Sequence, residues 1–295
     1  MKNTTKLLLA TAAISTVSAA QATTVLDDNF NDNDRTNQSL TSSAQWFQSF
    51  NNLSVVEPVP ASGNYALQNS PNSGTVRHAV AYYAPSGSPV SLATTGDTLN
   101  LSFDLTPTSA TPADSLNLLR IGLLNSGTAR QTADNESYSP SLIGGFGFFV
   151  NPDDQRVRAY GRSTDAGPLF ASLGSGSGWV GGATGGLLDD STPVSTFAMA
   201  EDTTYSISIS IERLASGNLN IAYSTTDGVN TTGTSFIEDT YLNYDFDTIG
   251  FGWGDGFGDG QIDNVLITAI PEPSSMASIA ALVALGCATL RRRRR

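Results

Sequence analysis

Strict alternation of apolar and polar residues is the clearest pattern in this chain. Between Tyr205 and Ile211, tyrosine or isoleucine occupies every second position and serine occupies the positions between them. Because successive side chains of a β-strand point to opposite faces of the sheet, the pattern predicts a strand with one buried and one wet face. Turn residues at 216–218 and a second alternating run at 219–223 follow, so the two runs predict a β-hairpin.

Similar short runs recur along the body of the chain. Leucine or phenylalanine alternates with polar residues through 99–105. Further strands are predicted at 75–83, 116–124, 145–150, 156–162, 248–252 and 261–268. Many short strands with glycine-rich turns predict an all-β fold of the β-sandwich or jelly-roll class. The glycine-rich stretch 174–186 is interpreted as a long surface loop within one domain, 23–270.

The first 22 residues differ from this body. Two lysines precede a short apolar run at 7–17, and Ala20 and Ala22 form an A-x-A cleavage site. This arrangement is typical of a secretory signal peptide. Residues 1–22 are therefore predicted to be removed on export.

The last 25 residues, 271–295, form another separate segment. Pro271 and Pro273, on either side of Glu272, cannot continue a strand ladder. Residues 274–290 are uncharged and predict a single transmembrane helix near the lower length limit for a bilayer span. Five arginines, which should stay on the cytoplasmic side, end the chain: Arg291, Arg292, Arg293, Arg294 and Arg295.

Charge and cysteine content narrow the classes of function. The whole chain carries a formal net charge of −12. Its lysines and terminal arginines lie outside 23–270, so that body is more acidic than the total suggests. Such a surface repels nucleic acid, and no phosphate-binding glycine motif is present. The only cysteine, Cys287, lies in the terminal apolar run, which excludes a disulfide or a cysteine nucleophile in the body.

The C-terminal arrangement resembles the PEP-CTERM sorting signal of Gram-negative bacteria. The motif at 271–273, the apolar span and the arginine cluster carry the resemblance. It implies export across the inner membrane, transient anchoring by the helix, and recognition by an exosortase-type processing enzyme. Cleavage near the motif would then release the protein to the cell envelope or surface, in bacteria that often make extracellular polysaccharide.

The body resembles the concanavalin A-like (LamG-like) jelly rolls found ahead of such tails. The segments "VLDDNFNDNDRTNQSL" near the start, the hairpin at 205–223 and "GQIDNVLIT" near the end carry this resemblance. It implies that the first and last strands lie close together. Lectins, glycanases and structural domains share the fold, so the fold alone does not select a function.

Acidic clusters near both ends of the body are candidate ligands for structural calcium, which prefers several oxygen ligands in a flexible shell. Neither cluster has the spacing of an EF-hand, and the alternative is that the acids occupy solvated turns. The candidate ligands are Asp27, Asp28, Asp32, Asp34, Asp259 and Asp263.

Catalytic groups are harder to find. The glucanases of this fold carry an E-x-D-x-E run, which is absent here, and Glu212, Glu238 and Asp239 are interpreted as solvated charges. His78, the only histidine, lies in a predicted strand with tyrosines and an arginine, the residue types used by polysaccharide lyases. The simpler alternative is a histidine on a sheet face, because alternation alone explains the segment.

Tryptophans are candidates for stacking on sugar rings, whose apolar faces pack on flat aromatic groups. Trp46 is expected in the core, and Trp179 and Trp253 are the candidate ligand-binding residues. The sequence therefore predicts an exported cell-surface or matrix protein with a structural or adhesive role and affinity for polysaccharide. The alternatives are a polysaccharide-degrading enzyme, either a glycoside hydrolase or a lyase, and a passive matrix protein that binds no ligand.

Overall fold

The structure is a computed structural model, and statements about it concern the residues that it describes. These residues are 21–36, 45–48, 53–56, 65–69, 77–108, 119–127, 130–134, 144–150, 157–162, 179–180, 189–190, 198–253 and 260–272. They contain strands and turns but no helix. No helix among them is therefore long and apolar enough to cross a bilayer. Residues Ala22–Pro271 form one compact unit.

Two eight-stranded antiparallel sheets make up this unit. Sheet A contains β1 (Thr23–Asp28), β3 (Leu53–Val56), β4 (Ala66–Asn69), β7 (Thr98–Pro107), β13 (Tyr205–Arg213), β14 (Leu219–Thr226), β15 (Thr231–Glu238) and β18 (Gly260–Ile270). Sheet B contains β2 (Trp46–Gln48), β5 (Arg77–Tyr82), β8 (Leu119–Leu124), β9 (Gly145–Val150), β10 (Val157–Arg162), β11 (Trp179–Val180), β12 (Asp189–Asp190) and β17 (Thr248–Trp253). A small two-stranded sheet pairs β6 (Val90–Ser91) with β16 (Asp245–Phe246).

The chain passes repeatedly between the sheets. The strand order is β15-β14-β13-β7-β18-β4-β3 in sheet A, with β1 also paired to β18, and β11-β10-β9-β8-β17-β5-β2 in sheet B, with β12 paired to β10. Because the first strand pairs with the last, the expectation that the ends of the domain meet is confirmed. The two sheets form the expected all-β sandwich.

The core lies between the sheets and follows the alternation in the sequence. Every second residue of β7 and β13 is buried against sheet B, and the intervening residues face outward. Phe103 of β7 meets Phe251 of β17 edge to face, with ring centroids 4.9 Å apart. Trp46 is fully buried, stacks on Phe251 and donates its indole N–H to Asp28, 2.8 Å away. The prediction that Trp46 belongs to the core is confirmed.

The predicted strands correspond to observed ones with differences of up to three residues at their ends, and the bounds of 145–150 are the same in both. Short or edge strands were missed, including β15, whose threonines and glycine show no clear alternation. The stretch 174–186, predicted as a loop, contains the two-residue strand β11, which pairs with β10. A strand this short has too few residues to show a period in the sequence.

Candidate functional site: the outer faces of the two sheets

The outer face of sheet A carries small polar side chains and one shallow depression of about 330 Å³. Asp104 on β7 lies in this depression and accepts hydrogen bonds from Ser206 Oγ at 2.6 Å and Asn264 Nδ2 at 2.9 Å. A bulge in β18 at 263–266 places Asn264 there with a positive φ of 52°. The polar lining consists of Asp27, Asn29, Ser102, Asp104, Ser206 and Asn264.

Asp263 lies at the same bulge and titrates abnormally. Partial burial is the main cause that raises its pKa to about 6, and the charges of Asp104 and Asp28 add to the rise. Its carboxylate accepts a hydrogen bond from the backbone N–H of Asn264 at 2.7 Å, which partly offsets the effect. The fold thus brings acids from three strands of sheet A near one another.

These acids do not form a metal centre in the described part of the chain, where no group of three or more His, Cys, Asp or Glu side chains could hold an ion. The carboxylate of Asp28 is 2% exposed and binds the backbone N–H of Phe30 and the indole of Trp46. Asp32 and Asp34 accept backbone N–H bonds from residues two positions later, as turn acids do. Asp259 lies outside the described residues, so the calcium site stays a prediction.

The outer face of sheet B has a different composition. Register places Gly250, Gly122 and Gly147 side by side on β17, β8 and β9, with Val80 before them and Tyr160 after them. With strands about 4.8 Å apart, these glycines form a strip without side chains across three strands, and all three glycines are buried. We call it the glycine trough. Glycine inside a strand often marks close approach of a ligand or another backbone.

A row of large side chains borders the glycine trough on one side. His78 and Arg120 lie on either side of Gly252, and Arg120 is followed across the sheet by Phe149. The Arg120 guanidinium lies 5.5 Å from the Phe149 ring centroid, and Phe149 packs edge to face on Tyr160 at 4.8 Å. Aromatic, cationic and imidazole groups therefore share one face.

These bordering side chains are buried. His78 and Arg120 are 7% and 6% exposed, and Phe149 is fully buried. Burial lowers the pKa of His78 to about 3, because a charged imidazole would lose its hydration. His78 is therefore neutral at physiological pH and accepts a proton only weakly.

The alternation predicts that the candidate residues around His78 are divided between two faces of the strand, and the structure agrees. His78 and Tyr82 share the outer face of sheet B, whereas Tyr83 belongs to the core cluster and Arg77 lies at an alternate register position of β5. The period of two in a strand causes this separation. The arginine on the histidine face is Arg120 of β8, which is 42 positions away and gave no sequence signal because its pairing depends on long-range register.

The other end of this face is covered by the segment 130–134. The Arg130 guanidinium lies 4.7 Å from the Tyr82 ring centroid and donates to Asp247 at 2.8 Å. The backbone N–H of Gln131 donates to the Tyr82 hydroxyl at 2.7 Å. At the far end of the segment, Asp134 accepts bonds from Arg35 and from the backbone N–H of Gln48. The segment is thus fixed along its length.

The remaining predicted site residues have mixed outcomes. Register places Trp179 opposite Arg162 at the edge of sheet B, and Trp253 opposite the core residue Leu119; their side chains lie outside the description. Ala22, Pro271 and Glu272 are exposed. Residues outside the described stretches are Ala20, Pro273 and Arg291–Arg295.

The interpretation of Glu238 as a solvated charge is wrong. It ends β15, is 4% exposed, and its carboxylate accepts the backbone N–H groups of Thr240 and Tyr241 at 2.7 Å. A carboxylate that satisfies two turn amides can be buried at low cost. Asp239 is exposed, as predicted. Glu212 accepts a weak bond from Asn220 at 3.4 Å.

Comparisons with known proteins give structural likeness alone. No protein-family model and no curated protein sequence matches the chain. An alginate lyase from Aplysia kurodai has a TM-score of 0.49 at 12% identity, covering 83% of this chain and 98% of its own. An endo-1,3-β-glucanase from Streptomyces sioyaensis has a TM-score of 0.48 at 14% identity, with coverage of 85% and 97%.

A lectin-like protein is among the similar structures as well. Arcelin-5, a defence protein from Phaseolus vulgaris, has a TM-score of 0.44 at 10% identity and covers 86% of this chain and 100% of its own. Enzymes and a lectin-like protein thus have similar TM-scores to this chain. The choice of function must therefore come from the side chains of this chain.

Proposed function

We propose that this protein is an exported, surface-sorted polysaccharide-binding protein with a structural or adhesive role. The observation that carries the proposal is the glycine trough, with aromatic side chains and Arg120 along its border. Sugar rings offer apolar faces that pack on aromatic groups and hydroxyls that accept bonds from a guanidinium. The three glycines are buried as well, so an extended saccharide chain approaches this strip of backbone closely only once the contacts that cover it have opened.

The burial of this face sets a condition on binding. Because Arg120 and His78 are nearly inaccessible, a saccharide must replace the contacts that bury them now. Binding that requires such a rearrangement associates more slowly than docking on an open surface. We therefore expect association below the 10⁵–10⁷ M⁻¹s⁻¹ range that is typical of preformed sites.

Cleavage of a polysaccharide is the second candidate, and one observation favours it. Arg120 lies two strands from His78 on the same face, with Gly252 between them, although a pKa of about 3 makes the His78 imidazole a weak base. In an acidic polysaccharide, an arginine can neutralise a uronate carboxylate while a neutral base removes the adjacent proton. We rank binding first because cleavage also needs a group that protonates the leaving oxygen, and His78 and Arg120 do not supply it.

The test measures binding and cleavage in the same mixtures. The purified full-length chain is incubated with alginate, laminarin, xylan and dextran, with calcium or with chelator, and both retention and new chain ends are measured. Retention without new ends, weakened at least tenfold by Arg120→Gln, is the expected result. New ends that disappear in His78→Gln would establish the enzyme instead. Loss of retention in chelator would support structural calcium.

Surface sorting is the second part of the proposal and rests on the terminal segments. An exosortase-type enzyme would process the chain near Pro273 after export, so mature surface protein should lack the arginine cluster. Mass spectrometry of protein recovered from the cell surface tests this expectation. A mature chain that retains Arg291–Arg295 would contradict the sorting proposal.

A further inference from the structure

Both ion pairs among the described residues anchor one five-residue segment. Arg130 pairs with Asp247, which is 1% exposed, and Asp134 pairs with Arg35. The same Asp247 carboxylate also accepts bonds from the backbone N–H and the hydroxyl of Ser126, at 2.7 and 2.5 Å. Such a set of charge-assisted bonds holds a backbone in one place. The segment 130–134 is therefore a rigid element of the fold.

Gln131 lies between the two anchors and is an exception to the rule for buried polar groups. Gln131 is 9% exposed, and neither atom of its side-chain amide has a hydrogen-bond partner among the described residues. Buried amides in folded proteins almost always bond to protein, water or a ligand. The donor and the acceptor of the Gln131 amide thus lack a partner among the described residues and are available to a bound ligand.

The main chain of Gln131 is attached to the outer face of sheet B. Its backbone N–H donates to the hydroxyl of Tyr82, and the Tyr82 ring lies 5.9 Å from that of Phe47 on neighbouring β2. Register places Phe47 beside Val80, the residue at the start of the glycine trough. The amide therefore belongs to the part of the fold that lies next to an aromatic pair and the trough.

We infer that Gln131 is a specificity-determining residue that binds saccharide hydroxyl groups through its side-chain amide. The inference rests on the proposed function and names its recognition chemistry. An amide donates and accepts at once, so it matches a sugar hydroxyl, which also does both. Because the two ion pairs fix the backbone beforehand, binding costs little additional backbone order in this segment once the buried amide has been uncovered.

The experiment separates recognition from folding. Gln131→Leu removes both polar groups and keeps a side chain of similar size. The matched control is Gln261→Leu, on a glutamine that is 6% exposed but donates to Gln68 at 3.3 Å. For each protein, urea unfolding gives stability, and calorimetric titration with the tightest-binding polysaccharide of the panel gives affinity at a temperature where all are fully folded.

We expect Gln131→Leu to weaken binding about tenfold while its urea midpoint stays unchanged or rises, because removing an unsatisfied buried group costs nothing in the fold. Gln261→Leu should lower the midpoint and keep the affinity. Unchanged affinity in Gln131→Leu would overturn the inference, whatever the midpoint does. If the wild-type chain binds no polysaccharide of the panel, the proposed function itself fails.

Discussion

The outer faces of the two sheets differ in how far water reaches them. On sheet A the outward residues of β13 are exposed or half-exposed serines between buried isoleucines. On sheet B all six residues of β8 and of β9 are buried, on both faces of the sheet. The solvent-facing side of sheet A therefore carries mainly small polar residues. The outer face of sheet B combines glycine, aromatic, histidine and arginine residues. Solubility alone does not require this combination of residues.

This contrast has an energetic meaning. When an outward side chain on sheet A is substituted, water replaces its protein contacts, and the free energy of unfolding changes little. A buried polar group on or beside sheet B cannot form hydrogen bonds with water, so each of its donors and acceptors needs another partner. Mutations of the same chemical kind should therefore have unequal effects on the two sheets.

The largest difference is expected for matched aspartates. Asp247→Ala leaves the Arg130 charge partly buried without its partner, and it should lower the free energy of unfolding by about 3–5 kcal/mol. Asp104→Ala, on the outer face of sheet A, should lower it by no more than about 1 kcal/mol. Urea denaturation of the two variants measures both values, and equal losses would remove the distinction between the sheets.

Matched glycines give the next test. A Cβ at Gly145 of β9 would lie 2.3 Å from the carbonyl oxygen of Leu123, and its φ is +119°. Gly145→Ala should therefore cost about 3 kcal/mol through overpacking and backbone strain. Gly228, in the β14–β15 turn, has a φ of +87° but open space around it. Gly228→Ala should cost only about 1 kcal/mol, and thermal unfolding compares the two.

His78 makes the stability of sheet B sensitive to acid. Its pKa is about 3 in the folded chain and 6.5 when unfolded, so between these values the unfolded chain binds more protons. Stability should therefore fall as pH drops below 6.5, by about 2 kcal/mol at pH 5. Urea midpoints at pH 7.5 and 5 should differ less in His78→Gln than in the wild type. An unchanged difference would mean that His78 is solvated.

Asp263 should act with the opposite sign on sheet A. Its pKa is about 6 when folded and 3.8 when unfolded, so the folded chain binds more protons in this interval. Stability from this group is gained as pH falls from above 6 to about 4. Asp263→Asn should raise the urea midpoint at pH 8 more than at pH 4. A larger gain at pH 4 would contradict the partial burial of Asp263 and the added effect of the Asp104 and Asp28 charges.

The smallest effect is expected for serines on the wet face. The hydroxyls of Ser208 and Ser224 lie 2.8 Å apart on neighbouring strands, and water can replace either one. Ser208→Ala should change the free energy of unfolding by less than about 0.5 kcal/mol. A loss above about 1 kcal/mol in urea denaturation would show that this face is specified by more than solubility.

The two sheets also differ in how well their strands could be predicted from the sequence. The alternation through β13 and β14 predicted strand, hairpin and buried face together, because one face of these strands is wet. Trp46 was also correctly expected in the core. In β8 and β9 the burial of both faces removes the alternation, so the strands were found from apolar content while their outward residues were not singled out.

The candidate site depended on information that a single sequence does not carry. The pairing of His78 with Arg120 requires the register of β5, β17 and β8, which is set by the whole sheet. The glycine trough likewise arises from three glycines that are far apart in sequence. For Gln131, the missing signal was its burial, which only the fold determines. The pairing of β1 with β18 was expected. The sequence did not show that Asp28, Asp32 and Asp34 near this pairing accept hydrogen bonds from nearby N–H groups.

One measurement tests the central claim that sheet B, and not sheet A, bears the saccharide site. Affinity for the tightest-binding polysaccharide of the panel is compared for the wild type, Arg120→Gln and Asp104→Asn, at a temperature where all three are folded. The account predicts at least a tenfold loss for Arg120→Gln and no change for Asp104→Asn. Loss in Asp104→Asn with full binding in Arg120→Gln would place the site on the opposite face and contradict the account.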